Sequence, residues 1–366
     1  MINYVPKTAS SLDPLKYTDY SDAIEQIYPK YIAGRYGWIN ANGLYQKLIG
    51  RSFVDDNEAD VYRMDNGQLI YGIGKMSDEE MIWYSDNVAC LSDDLAEVGI
   101  PLLYVQLPYK IKNGDNILPV GCTEYGNANA NSLITTMSNA DVEVFDLRSK
   151  VNELSRDYYS LFYNTDQHWT NETALWAADT VAHEASDRLD LSYNPNAFDI
   201  DHYKVTEYSN HFLGSFGKKT GSWYAGTDDY HLVVPTFDTD LNFSAETETG
   251  KIERSGTFDT ALLDKSNLKI DLFHRNTYET YTGGNYKFTK ITNKKNPDGS
   301  RVLLIRDSFS SSMMPFLSLA YSELDSVDLR YFEGSALELA KKGNYDAVII
   351  VYNPTVFGEP AFTFDN

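Results

Sequence analysis

Cysteine is nearly absent: Cys90 and Cys122 are the two that 366 residues contain. They make no CxxC and no zinc-ligand spacing, which excludes a disulfide-stapled scaffold and a structural zinc module. One disulfide and two separate thiols both stay open, so cysteine usage does not decide the compartment. No run of about 18 apolar residues occurs, so no segment reads as a membrane-spanning helix. The first fifteen residues carry Lys7, Asp13 and Pro14 and lack the apolar stretch of an export leader; a leader removed upstream remains compatible with the sequence. Positive charge is scarce. Lys and Arg number 31 against 53 Asp and Glu, a formal net charge of −22. A surface that negative repels phosphate backbones, so nucleic acid is not an expected partner, although a small basic pocket is still allowed.

What is present is ordinary in bulk. With 42% hydrophobic and 23% charged residues, disordered, collagen-like and coiled-coil classes are excluded. The length suits about two domains of ~150 residues or one domain with a large insertion. Tyr (28) and Phe (17) are abundant, which favours strands and sugar-binding clefts.

Periodicity predicts a helix from Ser77 to Gly99. Ser77 and Glu80 match a capping box, and Met81, Tyr84, Val88, Leu91, Leu95 and Val98 mark one apolar face. A strand follows at Ile100–Val105, a helix at Ala128–Asn139 and a strand at Val142–Phe145. Further on come a strand at Val302–Ile305, a helix starting near Pro315, a strand at Val327–Phe332, a helix at Ser335–Lys342 and a strand at Ala347–Tyr352. Helix–strand alternation predicts an α/β fold with a parallel sheet flanked by helices. Residues 71–190 and 301–366 are expected to form that domain. Residues 191–300, rich in Tyr, Thr, Gly, Asp and Asn, are expected to be a loop- and strand-rich insertion. Residues 1–70 are expected to be an irregular segment packed on the core.

Two places carry chemistry. Asp166 and His168 stand two apart in Tyr163-Asn-Thr-Asp-Gln-His-Trp-Thr170, so in an extended segment the carboxylate can hold Nδ1–H and leave Nε2 as a base. Thr170 can then cap a helix with the face Ala174, Ala178, Val181, Ala185 and Leu189. Ser308 follows the apolar strand in Ile305-Arg-Asp-Ser-Phe-Ser310, at the carboxyl end where open α/β sheets collect ligands. Alone, either segment also reads as a plain helix cap or turn. Together they supply the parts of a Ser-His-Asp triad, which occurs in several chain orders. The other histidines show no metal spacing, and no cofactor is expected.

Asp166-Gln-His-Trp169, with Tyr163 and Thr165 before it, resembles the D-H-H-W signature of the bacterial DHHW protein family. That family is related to the SGNH-hydrolase-like domains of alginate-type polysaccharide O-acetyltransferases. Gly34-Arg-Tyr-Gly-Trp38, the Pro-Tyr-Lys of residues 108–110, Gly283-Gly-Asn285 and Leu303–Phe309 resemble further family segments in the same order. The resemblance spans roughly residues 30–355. It implies an SGNH-hydrolase-like fold with Ser308 as nucleophile, His168 as base and Asp166 as its orienter. Gln167 departs from the signature's first His, and Arg306 stands where many relatives have Gly or Lys. The Asp–His pair also precedes the serine, unlike the usual SGNH order.

The implied reaction is O-acetyl transfer or acetyl-ester hydrolysis on a cell-surface polysaccharide, through an acetyl-serine. Expected oxyanion or substrate contacts are the Ser308 N–H, Gly284, Asn285, Arg330, Lys110 and Arg306, with Trp169 and Trp223 as sugar-stacking candidates. Each has a plainer alternative: a β-turn for Gly284 and Asn285, an ion pair with Asp328 for Arg330, packing for Arg306, a solvated Lys110, a core Trp169. An extracellular or envelope location and a membrane-bound acyl-donor partner belong to the same expectation. The alternatives are a glycan-binding module without chemistry and an envelope assembly protein.

Overall fold

The computed structural model describes residues 34–54, 60–247 and 250–365. Helix α1 (Arg35–Leu48) leads into a small antiparallel sheet of β1 (Phe53–Val54), β2 (Val61–Arg63) and β3 (Leu69–Tyr71). Next come α2 (Asp78–Ala96), β4 (Leu102–Gln106), α3 (Gly126–Asn139), β5 (Val144–Asp146) and α4 (Asn171–Leu189). Strands β6 (Tyr203–Phe212) and β7 (Asp228–Pro235) pair antiparallel and enclose the short helices α5 (Ser215–Thr220) and α6 (Ser222–Ala225). The chain continues through β8 (Leu241–Thr247), β9 (Gly250–Gly256), α7 (Phe258–Leu262), β10 (Phe288–Asn293) and β11 (Arg301–Arg306). It closes with α8 (Ser310–Leu317), β12 (Glu323–Val327), α9 (Ala336–Gly343) and β13 (Ala347–Tyr352).

Eight strands form the central sheet in the order β5-β4-β13-β11-β12-β10-β8-β9. The first five run parallel, and the last three add on antiparallel. Strand β13, Ala347-Val-Ile-Ile-Val-Tyr352, is buried at every position because both neighbours and both faces are covered. Its residues alternate between two cores. Ala347, Ile349 and Val351 join the helices α4 and α8, whereas Val348, Ile350 and Tyr352 join α2, α3 and α9. Each aliphatic side chain so buried contributes about 1.5–3 kcal/mol. A charged residue at Ile349 or Ile350 would therefore break the sheet at its centre.

Local signals hold where they are self-contained. Ser77 and Glu80 close both halves of the capping box, and Met81, Tyr84, Val88, Leu91 and Leu95 are the buried face of α2. Val98 lies beyond the helix and is exposed. Thr170 caps α4 through the Thr173 N–H.

Four expectations change. Helix α8 starts at Ser310, because Asp307 caps that turn through the Phe309 N–H; Pro315 lies inside, with no N–H for Ser311, and the helix ends two residues on. Strand β12 covers Glu323–Val327 rather than 327–332. Its Asp325 and Ser326 are buried because Tyr345, in the loop before β13, and Thr289 of β10 hydrogen-bond them. Residues 241–293 of the expected insertion supply β8, β9 and β10 to the central sheet itself. Of the first 70 residues, 1–33 and 55–59 lie outside the described residues, and 35–48 form a regular helix. Cys90 and Cys122 are two free thiols.

Candidate active site

Loops leaving the carboxyl ends of parallel strands meet at one edge of the sheet. Lys110 follows β4, Ser308 follows β11, Arg330 follows β12 and Asn353 follows β13. This edge collects the exposed ends of strand dipoles and the turn residues that a buried strand cannot carry, which is why ligands gather there.

The Asp166–His168 segment is pinned from both sides. An isolated antiparallel bridge joins Phe162 to Trp169, and the Tyr163 N–H donates to the His168 carbonyl at 3.1 Å. Between these closures the chain bends instead of running extended. Asp166 Oδ1 accepts the His168 backbone N–H at 3.0 Å and faces His168 Nδ1 at 2.5 Å. The pair therefore arises from a side-chain-to-backbone turn, not from strand alternation. Asp166 Oδ2 accepts the Ser215 N–H at the start of α5, at 2.6 Å. A Cβ on Gly214 would collide with the Asp166 side chain, so only glycine permits this approach. Burial pushes the Asp166 carboxyl up, but the His168 imidazole and the N–H donors of His168 and Ser215 hold it well below the usual carboxylate range.

His168 Nε2 lies 2.9 Å from Ser308 Oγ, across 140 positions of sequence. Tyr278 stacks on the imidazole with ring centroids 4.1 Å apart, and Phe309 tilts against it at 4.8 Å. The Tyr278 hydroxyl lies 3.1 Å from the Ser308 carbonyl oxygen and 3.0 Å from that of Phe309. His168 keeps 12% of its side chain exposed, enough for a substrate to reach an otherwise enclosed ring.

Lys110 is fully buried, not solvated. Its ammonium lies within 2.6–3.2 Å of four carbonyl oxygens, those of Leu69, Tyr163, Asn164 and Asp166. Three N–H bonds serving four acceptors leave none for a substrate, so the expected contact is corrected to a clamp on the Asp166 loop. Burial pushes Lys110 down to about 7 against the opposing pull of Asp228 and Asp166. Asp228 holds the same loop, accepting the N–H groups of Asn164 (2.6 Å) and Thr165 (2.8 Å) and the Thr165 hydroxyl (2.6 Å).

Arg306 is buried and cannot meet an anionic substrate. It pairs with Asp328 at 3.4 Å and bonds the Tyr286 carbonyl and Asn285 Oδ1. Asn285 Nδ2 donates to Asp328 Oδ2 at 3.0 Å, so this side chain is engaged at both ends, and Gly284 precedes it in the same turn. Arg330 grips Asp328 with two bonds of 2.8 and 2.6 Å, the expected ion pair, and keeps 29% of its side chain exposed. Trp169 is fully buried and donates Nε1–H to the Phe309 carbonyl (3.0 Å) and Ser312 Oγ (3.1 Å); it is core, not a stacking platform. Trp223 stays half-exposed. Burial raises Asp307 to about 6 despite Arg330 and the Asn353 and Phe309 N–H groups. Its carboxylate ties the Ser308 turn to β13 through the Asn353 N–H at 2.7 Å.

A cleft of about 290 Å³ opens beside the triad between Gln167 and Phe309, the chain neighbours of His168 and Ser308. Tyr71, Tyr109 and Phe216 wall it. A larger hollow of about 510 Å³ crosses β8–β10 and shares no residue with the triad loops. Sequence reasoning missed Tyr278, Asp228, Asn353 and the Gly214–Ser215 turn. None carries a local pattern, and each reaches the site from tens of positions away. No group of His, Cys, Asp and Glu suited to a metal ion occurs among the described residues.

Residues 78–250 match the protein family described as ALGX: SGNH hydrolase-like domain, acetyltransferase AlgX. The fold is similar to Bacillus cereus PatB1 with a sulfonyl adduct, at TM-score 0.70 and 17% identity over 86% of this chain and 99% of that one. A DHHW family protein from Eubacterium siraeum DSM 15702 superposes at TM-score 0.59 with 20% identity, over 84% of this chain and 95% of that chain. The O-acetyltransferase domain of Pseudomonas putida AlgJ does so at 0.50 with 13% identity, over 81% and 91%. No curated protein sequence matches. The resemblance drawn from the D-x-H-W segment and the serine block holds, and the fold is SGNH-like.

Proposed function

We propose that this SGNH hydrolase-like domain performs serine-dependent acyl transfer, as an O-acetyltransferase or acetylesterase on a cell-surface polysaccharide. One observation carries the reading: Ser308 Oγ, His168 Nε2 and Asp166 Oδ1 are in line at 2.9 and 2.5 Å contacts. His168 takes the Ser308 proton as Oγ attacks the acetyl carbonyl, and Asp166 steadies the imidazolium that forms. The tetrahedral intermediate collapses, the bond to the leaving alcohol breaks, and His168 returns the proton to that alcohol. A sugar hydroxyl or water, deprotonated by His168, then releases the acetyl group from Ser308. The Ser308 N–H and Arg330 are the oxyanion donors we assign, each such donor typically contributing ~3–4 kcal/mol.

The aromatic-walled cleft beside Ser308 supports a glycan as the other reactant. An envelope location and a membrane-bound acyl donor belong to this proposal. Ser308→Ala and His168→Ala should each lower p-nitrophenyl acetate turnover by ~10³-fold or more. Intact-mass analysis after exposure to an acyl donor should find an acetyl group on Ser308, and a sulfonyl fluoride should modify the same oxygen. Unaltered turnover in both variants would refute the assignment.

A further inference from the structure

The walls of the cleft beside the triad are apolar: Ile70 and Ile73, the rings of Tyr71 and Tyr109, and Phe216 and Phe309. Most of its polar side chains are already spent. The Tyr109 hydroxyl donates to the Tyr71 carbonyl at 3.1 Å. Asn353 is engaged at both ends, Nδ2 on the Pro108 carbonyl (2.8 Å) and Oδ1 on the Thr355 N–H (3.0 Å). Lys110 is the one charged residue in the lining, and its ammonium is divided among four carbonyls. Among the described residues, two uncharged side-chain groups are left to meet a ligand. They are the half-buried Gln167 amide, which no described residue bonds, and the exposed Thr355 hydroxyl.

Neighbouring cations are committed outside this lining. Lys218 Nζ donates to the Arg275 carbonyl at 2.6 Å, and Arg330 is doubly bonded to Asp328. Lys219 lies over the Tyr71 ring, 5.1 Å from its centroid, and makes a further contact. A carboxylate or phosphate entering the cleft would exchange water for apolar walls and meet no spare cation, which disfavours the charged group strongly. Sugar hydroxyls, ester carbonyls and the apolar faces of sugar rings match an amide, a hydroxyl and aromatic walls. At position 167 a histidine could become a cation, whereas an amide cannot. We infer that the reactant this cleft admits is an uncharged glycan and that Gln167 sets the preference. The inference rests on the acyl-transfer reading, which brings the glycan to this cleft.

The test compares two acetate esters that differ by one charge: an acetylated methyl glucuronoside with its carboxyl free, and the same sugar as its methyl ester. Acetate release by the full chain should favour the methyl ester by about tenfold or more in kcat/KM. The preference should persist in about 1 M salt, where the screening length is ~3 Å and the net charge of the chain no longer acts at range. Gln167→Lys, with circular dichroism as in the parent chain, should shrink the preference about fivefold or more by raising kcat/KM on the free carboxylate. Equal rates on the two esters, a preference for the carboxylate, or a preference lost in salt would overturn the inference. So would acetate release from neither sugar by a chain that turns over p-nitrophenyl acetate, or a folded Gln167→Lys variant that keeps the parent's preference. Turnover of p-nitrophenyl acetate unaltered by Ser308→Ala would sink the acyl-transfer reading itself, so the two failures are told apart.

Discussion

Asp166→Asn is the sharpest perturbation, because the carboxylate serves three N–H groups of known position. Oδ1 faces the His168 N–H and Nδ1, and Oδ2 faces the Ser215 N–H. An amide offers one acceptor oxygen and one donor nitrogen. With the oxygen toward His168, the NH2 group confronts the Ser215 N–H. In the flipped orientation it confronts the His168 N–H and drives the ring proton onto Nε2, where it blocks transfer from Ser308. Either way a donor faces a donor in a buried site, at a stability cost of about 1–3 kcal/mol. Turnover loses more. Forfeiting the charged hydrogen bond costs ~1.5–3 kcal/mol, and the wrong tautomer adds to it. A total of ~3–5.5 kcal/mol corresponds to a ~10²–10⁴-fold lower kcat/KM.

Initial rates on p-nitrophenyl acetate and a urea melt read the two effects separately. A folded Asp166→Asn variant within threefold of the parent kcat/KM would refute the reasoning. The pH dependence has a definite sign. The folded carboxyl sits below its unfolded value of ~3.9, so its stabilisation is present above that pH and lost as pH falls through and below it. Asp166→Asn should therefore flatten the acid side of the stability curve.

Three further outcomes follow from the same contacts. Lys110→Met takes the ammonium from four buried carbonyls, of which that of Asn164 keeps the Leu69 N–H, and should destabilise the fold by about 3–5 kcal/mol in denaturant titration. Because Lys110 is lowered to about 7, the unfolded chain holds more protons from there to ~10.5, so unfolding free energy should rise with pH across that window and rise less in the variant. Tyr278→Phe keeps the ring stacked on His168 but loses a buried hydroxyl, which should cost about 1–3 kcal/mol in stability and less than tenfold in turnover. Trp169→Phe should lower stability by about 2–4 kcal/mol, with glycan affinity of the folded fraction unchanged in calorimetry, because the indole never meets solvent.

How much was legible depends on where each signal's partner lies. The α2 face, its capping box, the Thr170 cap and strand β13 were readable because every partner lies within a few positions or is simply the core. Asp166, His168 and Ser308 were readable as chemical types, and the order of motifs joined them into one expectation. Lys110 and Arg306 read as substrate contacts in the sequence, because a cation in a sequence carries no mark of burial. It becomes a core residue only when remote carbonyls or carboxylates arrive to satisfy it.

The amino-acid order by itself determined the α/β alternation, the apolar strands and the local helix stops, through hydropathy periods and caps that act over a few residues. Only the tertiary structure decided that Nε2 of one loop meets the hydroxyl of another, that Lys110 clamps the dyad and that Trp169 is interior. Those outcomes depend on distances between segments far apart in the chain, and such distances are settled by packing of the whole sheet.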